Sequence, residues 1–184
     1  MFDVVTKLML HRQLSFDRGR IQIFGRYSSL LPSDSFVSIQ KELEKINKEN
    51  VIYFSGKDAG KLWFIEMNKQ FKLKQSEVIK WGSEIVTLAG WGEAIIKKED
   101  ILSQTVIFDL NNSVVVKFYG KSKCAVDHLF RGLLAGAMCV VFNEDMEAVE
   151  MYCVAKGDKN CEFIVKPRKK FDLSNPTVKM QLKK

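Results

Sequence analysis

The order of patterns in this 184-residue chain predicts an α+β domain, with an antiparallel sheet packed against helices. Three observations carry that prediction. Helical periodicity fills residues 33–88, period-two runs follow from 94 to 119, and a glycine-bearing helix then precedes a final hairpin. Helices in one block and strands in another argue against the strict strand–helix alternation of a parallel sheet. The chain is 46% apolar with 3 prolines, so it can bury a proper core, and its length suits one domain.

Residues 1–32 read as a β-hairpin extension. Met9, His11 and Gln13 alternate with Leu8, Leu10 and Leu14; Asp17-Arg18-Gly19 supplies a turn, and Ile21, Ile23 and Phe24 follow. A strand pair with so little core needs a partner, either the rest of the domain or a second copy. His11 stands alone and reads as structural or exposed.

A helix opens at Leu31-Pro32-Ser33-Asp34, with Ser33 or Asp34 as its cap and Phe36, Ile39, Leu43 and Ile46 as its stripe. A second spans about Val51 to Asn68 and carries Gly56 and Gly60. Without a preceding strand or a Gly-Lys-Ser/Thr ending this is no phosphate loop, and close helix packing is the better account. A third runs from Gln75 to Leu88, with Val78, Trp81, Ile85 and Leu88 on one side. Gly90-Trp91-Gly92 then turns the chain into strands at Ala94–Lys97, Thr105–Leu110 and Val114–Tyr119, the last two joined by Asn111-Asn112.

From Cys124 to Phe142 a wide apolar helical face recurs through Leu129, Leu133, Leu134, Ala137, Met138 and Val141. Gly132 and Gly136 lie one turn apart on it. Each costs about 1 kcal/mol against Ala, which close approach of another backbone would offset. A hairpin follows: Val149, Met151, Cys153 and Ala155 alternate with polar neighbours, Gly157-Asp158 turns, and Cys161, Phe163 and Val165 return. This register puts Cys153 across from Cys161, both on the face toward the helix. Opposed Cβ atoms about 4.5–5.5 Å apart suit two thiolates on one metal, a disulfide, or two small buried hydrophobes. Residues 167–184 read as a basic tail; from Phe171 on, with Pro176 and weak patterning, they suit a tail, an edge strand or a partner-binding arm.

The formal charge is +7, concentrated late at Lys166, Arg168, Lys169, Lys170, Lys179, Lys183 and Lys184. Without interleaved aromatics or a nucleic-acid motif, a solvated basic end is expected rather than a nucleic-acid surface. No stretch reaches the roughly 18 apolar residues of a membrane span. The N-terminus carries Asp3 and Lys7 and does not pattern as a signal peptide, so the expected location is cytoplasmic. Four cysteines are too few for a secreted disulfide scaffold.

The pattern Gly132-x3-Gly136, Glu150-x2-Cys153, Gly157-Asp158-x2-Cys161 resembles the 4-vinyl reductase domain family. Gly56-x3-Gly60 and Gly90-Trp91-Gly92 add to the resemblance, which covers roughly residues 33–166. That family includes sensory domains of aromatic-responsive activators, and its fold resembles nitric-oxide sensors and vesicle-transport tethering subunits. The resemblance implies a dimer that binds a small molecule between helices and sheet, and a zinc held by Glu150, Cys153 and Cys161. It places the fourth ligand, a cysteine in the family, at Asp127. Cys124 lies one turn earlier and His128 four residues after that, and all three residue types ligate zinc. On a flat strand Glu150 and Cys153 point to opposite faces, so Glu150 joins the site only through a bulge or from the strand's entry. Cys139, deeper in the helix, reads as core.

The aromatic-sensing members carry pocket aromatics where this chain has Arg131 and Ala148, which turns the expectation from a phenol to a small hydrophobic or anionic ligand. Arg131 faces such an anion or pairs with an acid such as Glu144; Trp63, Trp81 and Trp91 line a pocket or pack in the core. The leading expectation is a regulatory small-molecule-binding domain with a structural zinc, signalling through a separate output protein. Two alternatives stand beside it. One is a non-catalytic interaction subunit. The other is an auxiliary protein of tetrapyrrole vinyl reduction, for which the chain shows no dinucleotide fingerprint, no iron–sulfur cysteine run and no catalytic triad.

Overall fold

A computed structural model describes residues 6 and 8–182. Asp3, Lys7, Lys183 and Lys184, named above for their charge, lie outside the described residues.

The centre of the fold is a pair of helices, α2 (Asn50–Phe71) and α5 (His128–Phe142). They run parallel, and glycines on both let their backbones touch. A Cβ on Gly132 would sit 2.1 Å from the Tyr53 carbonyl oxygen, and one on Gly136 would sit 1.9 Å from that of Lys57. The reciprocal contacts are Gly56 on Leu129 O and Gly60 on Leu133 O, at 2.5 and 2.4 Å. Close approach thus offsets the poor helix propensity of all four glycines.

Helix α1 (Ser33–Lys45) precedes this pair, and α3 (Gln75–Leu88) covers its flank. The α1 stripe is rotated from the expected one. Val37 and Gln40 are buried while Ile39 and Ile46 are exposed, and neither Ser33 nor Asp34 caps the helix, which starts after Pro32. Gln40, fully buried, donates from Nε2 to the Val126 carbonyl and to Glu44, which ties α1 to the segment entering α5.

The main sheet is antiparallel, as expected, with strands β4 (Glu93–Asp100), β5 (Thr105–Asn111), β7 (Cys161–Pro167) and β6 (Met146–Tyr152) side by side in that order. Val106, Phe108, Leu110, Phe163 and Val165 face the α2–α5 pair and are buried. The expected strand over Val114–Tyr119 is instead a short helix, α4. The Ser113 hydroxyl caps it by accepting from Val116 N, so Asn111-Asn112 leads out of β5 rather than into a hairpin. Three β-branched valines mimic a strand here, and the serine cap and packing on α1 override them.

The N-terminal piece forms a separate antiparallel sheet of β1 (Leu14–Asp17), β2 (Arg20–Ile23) and β3 (Arg26–Ser28), turning at Asp17-Arg18-Gly19 as expected. Residues 8–10 are helical rather than extended. The piece docks on the domain through buried Leu8 and Phe24, the latter edge-on to Trp63 and Phe71.

At the other end, Pro176–Leu182 forms helix α6 rather than a tail, edge strand or arm. It packs on the outer face of the sheet, where Val149, Phe171, Val178 and Leu182 make a second small core with Met151 and Ile164. The facing of β6 is therefore the reverse of the expected one. Ala148 and Glu150 point toward the helix pair, while Val149 and Met151 point toward α6. No helix among the described residues is long and apolar enough to cross a membrane.

Candidate metal centre and apolar cavity

Asp127, Glu150, Cys153 and Cys161 come together from three segments, and one ligand atom from each lies within 4.8 Å of all the others. Asp127 immediately precedes α5; Glu150 lies near the end of β6; Cys153 follows β6, and Cys161 opens β7. The geometric objection to Glu150 is resolved by a bulge. The β6–β7 register shifts between Glu150 and Tyr152, so that Glu150 pairs with Phe163 and Tyr152 with Glu162. The extra residue, Met151, puts Glu150 and Cys153 on one face. Beyond Tyr152 the ladder gives way to a 3-10 turn over Val154–Lys156, and Val154 N donates to Cys161 Sγ at 3.4 Å.

All four side chains are buried, each no more than 1% exposed. The Ser113 hydroxyl donates to Asp127 Oδ1 at 2.7 Å, and Glu150 Oε2 accepts from Asp127 N at 3.1 Å. The other oxygens, Asp127 Oδ2 and Glu150 Oε1, are buried without a hydrogen-bond partner. Left to themselves, these acids cannot all ionise. Burial pushes the Asp127 carboxyl up to about 7 and raises Glu150, which the Asp127 charge raises further. Interaction between the two thiols lowers Cys153 and raises Cys161. Two orphaned carboxylate oxygens beside two thiol sulfurs are the donor set of a cation site. Tetrahedral zinc places such donors about 3.4–3.8 Å apart, a modest contraction of this cluster. The residues therefore fit zinc.

The remaining sequence candidates lie apart from this cluster. Cys124 is exposed, with its sulfur 3.9 Å from Met180 Sδ. His128 Nε2 faces Glu44 at 3.5 Å. Cys139 packs at the core margin against the Met146 backbone. All four cysteines are free thiols, so Cys153 and Cys161 form no disulfide.

A cavity of about 260 Å³ lies between α2, α3, α5 and the sheet. Its wall includes Trp63, Phe64, Trp91, Phe108, Leu133 and Met138, with no charged side chain among its lining residues. The one lining hydroxyl, Ser83, already donates to the Lys80 carbonyl. Trp81 packs on Phe71 instead. Arg131 is absent from the wall and makes no pair with Glu144, which meets Lys169. Its guanidinium is buried over the Tyr53 ring, 4.3 Å from the centroid, and donates to Gln181.

Sequence reasoning missed a second buried polar group. Lys57 pairs with Asp145 at 2.9 Å and Glu147 at 3.1 Å, and the Tyr53 hydroxyl donates to Glu147. The one available signal was Lys57 lying between two glycines on a face pressed against another helix.

The fold is thus a helix-and-sheet domain that carries a four-donor cluster and an apolar cavity. The resemblance to the 4-vinyl reductase family holds, because the V4R domain family model matches residues 106–167. An uncharacterized protein of Methanocaldococcus jannaschii is 30% identical over 119 residues; the match spans 64% of this chain and 64% of that relative, just under two thirds of each. Among solved structures, the phenol-responsive sensory domain of the transcription activator PoxR, crystallised with phenol, superposes with a TM-score of 0.82 at 18% identity, covering 100% of this chain and 98% of that one. A vinyl-4-reductase family protein from Methanocaldococcus jannaschii gives 0.55 at 21% identity, covering 76% and 83%. Subunit 3 of a trafficking protein particle complex from Naegleria fowleri, covalently bound to palmitic acid, gives 0.52 at 13% identity, covering 73% and 93%.

Proposed function

We propose that this protein is a small-molecule-binding regulatory domain that acts as a homodimer, carries a structural zinc and signals through a separate output protein. The observation that carries the reading is the apolar cavity between the helix pair and the sheet, on a scaffold like that of the PoxR sensory domain. Asp127, Glu150, Cys153 and Cys161 would hold the zinc. Four protein donors leave no open position for water, so the metal would pin the hairpin to the start of α5 rather than catalyse.

The ligand class follows from the wall. With no charged lining residue and the proton of its one hydroxyl already engaged, the cavity favours a small hydrophobic molecule over an anion. The test uses tryptophan fluorescence, since Trp63 and Trp91 line the cavity. Toluene is expected to quench saturably and at least as tightly as phenol. No saturable response to either probe, together with native mass spectrometry showing no retained mass, would remove the sensor reading.

One observation favours the second reading, a non-catalytic interaction subunit. Leu10, Phe16, Tyr27 and Leu30 of the N-terminal piece are 69–87% exposed. The same surface would serve a homodimer, and the oligomeric state in native mass spectra bears on both readings.

A further inference from the structure

We infer that Gln181 on the C-terminal helix, together with Arg131, is a positioning clamp for Glu150, so that cation binding at the four-donor cluster and docking of α6 stabilise each other. The inference rests on the metal-site reading above and goes beyond it.

Strand β6 is the edge of the main sheet, and the bulge at Glu150–Tyr152 interrupts its one ladder. Backbone groups on the open side of such a strand have no neighbouring strand to meet. At Glu150 one side chain supplies what a strand would. Gln181 Oε1 accepts from Glu150 N at 2.9 Å, and Gln181 Nε2 donates to Glu150 O at 2.8 Å. The same Oε1 accepts from Arg131 Nη1 at 2.8 Å, and the Gln181 backbone carbonyl accepts from that nitrogen at 3.2 Å. Arg131 Nε has no partner, although the residue is only 4% exposed.

Three consequences follow. First, the Glu150 backbone is fixed from outside the sheet by α6, while its carboxylate reaches inward to the cluster. The residue is thus held at both ends. Second, Arg131 brings a positive charge into the same buried region as Glu147 and Glu150. Four ionised donors around a divalent cation leave a net charge of about −2, which a neighbouring guanidinium offsets. Third, among the described residues α6 is otherwise held by a small core through Val178 and Leu182, by Arg168 donating to Leu182 O at 2.8 Å, and by Met180 against Cys124 Sγ. A short helix on a small satellite core lies toward the low-stability end of a fold. Anything that fixes Glu150 therefore favours the docked helix, and by linkage the docked helix favours whatever fixes Glu150.

The test uses the full chain and two measurements. Zinc affinity is read by competition with a chromophoric chelator for the wild type, Gln181→Leu and Gln181→Glu. Hydrogen exchange across residues 176–182 is read for the wild type with zinc and after chelation. Chelation is expected to raise exchange in that segment. Gln181→Leu, which removes every side-chain hydrogen bond to Glu150 and Arg131, is expected to weaken zinc binding about tenfold or more, as loss of a supporting hydrogen bond does at metal sites. Gln181→Glu keeps the acceptor for Arg131 and is expected to fall between the two. Unchanged exchange on chelation, or wild-type zinc affinity in a folded Gln181→Leu, overturns the clamp and leaves the metal site standing. A wild type that takes up no zinc overturns the metal site itself, and the clamp with it. If Gln181→Leu does not fold, the wild-type exchange comparison decides alone.

Discussion

Gly136→Ala sets two physical effects of opposite sign against each other. In an open helix the change would stabilise by about 1 kcal/mol, because Ala has the better propensity. Here the added methyl would lie 1.9 Å from the Lys57 carbonyl oxygen and 2.8 Å from Lys57 C and Lys61 N. Cβ contacts below 3.0 Å essentially do not occur in proteins, and all three neighbours are backbone atoms, so no side chain can swing aside. Helices α2 and α5 must separate by roughly an ångström, which loosens the reciprocal contacts at Gly56, Gly60 and Gly132. Overpacking of this kind costs about 1–3 kcal/mol, more where backbone must move. The net expectation is a loss of about 2 kcal/mol or more, or a fall in Tm of roughly 5 °C at about 2–4 °C per kcal/mol for a chain of this length. Thermal melts followed by circular dichroism measure it. Gly60→Ala, 2.4 Å from Leu133 O, is expected to move the same way and also to reshape the cavity that Gly60 lines. A Gly136→Ala protein that melts at or above the wild-type temperature would refute the close-packed helix pair.

Under the zinc reading, Cys153→Ser and Cys161→Ser are each expected to lose stoichiometric zinc, whereas Asp127→Cys retains it; metal analysis after gel filtration reads both. Stripping zinc with a chelator is expected to lower the wild-type Tm and to leave that of Cys153→Ser unchanged. Tyr53→Phe removes a hydroxyl donor from buried Glu147, which keeps Lys57 at 3.1 Å and Arg168 at 3.5 Å; the cost should be about 1–3 kcal/mol, seen as a lower urea midpoint at unchanged m. Burial opposes ionisation of Glu44, but hydrogen bonds from His128, Tyr119 and Gln40 outweigh it and hold the carboxyl below its ordinary value. A depressed folded pKa contributes stability that is present at neutral pH and lost as pH falls below about 5. Glu44→Gln should therefore flatten the acid side of the stability profile, and an acid limb as steep as the wild type's would refute that assignment.

Long periodic elements were legible in the residues. Gln75–Leu88 starts and stops where its pattern does, and the glycine pairs at 56/60 and 132/136 announced the contact they make. The errors lie where a short segment is decided by something outside itself. Val114–Tyr119 reads as a strand by composition, and one serine cap and a neighbouring helix make it helical. The facing of β6 was inverted because a bulge changes the parity of a strand, and no local pattern marks which residue is the extra one. Helix α6 was illegible for a related reason. Its buried residues, Val178 and Leu182, complete a core with Val149 and Phe171, and simple strand alternation assigns Val149 to the inner face. At the candidate site, counting back from Glu150 reached Asp127, which the structure places beside the cysteines; Cys124 and His128, equally plausible by residue type, lie outside the cluster.

The presence of aspartate at position 127 is chemically consistent with the rest of the cluster. A carboxylate carries the same single negative charge as a thiolate, so exchanging one for the other leaves the charge balance of a bound cation unaltered. Ser113 engages one Asp127 oxygen and leaves the other without a partner, which presents a single donor atom as a thiolate would. Asp127 also sits at the N-terminal end of α5, where the helix dipole favours negative charge. Two thiolates in the set still select a borderline-soft ion over magnesium or calcium, which prefer oxygen alone. Replacing one sulfur by oxygen makes the set harder without changing its four-coordinate count, so zinc remains the cation these residues suit.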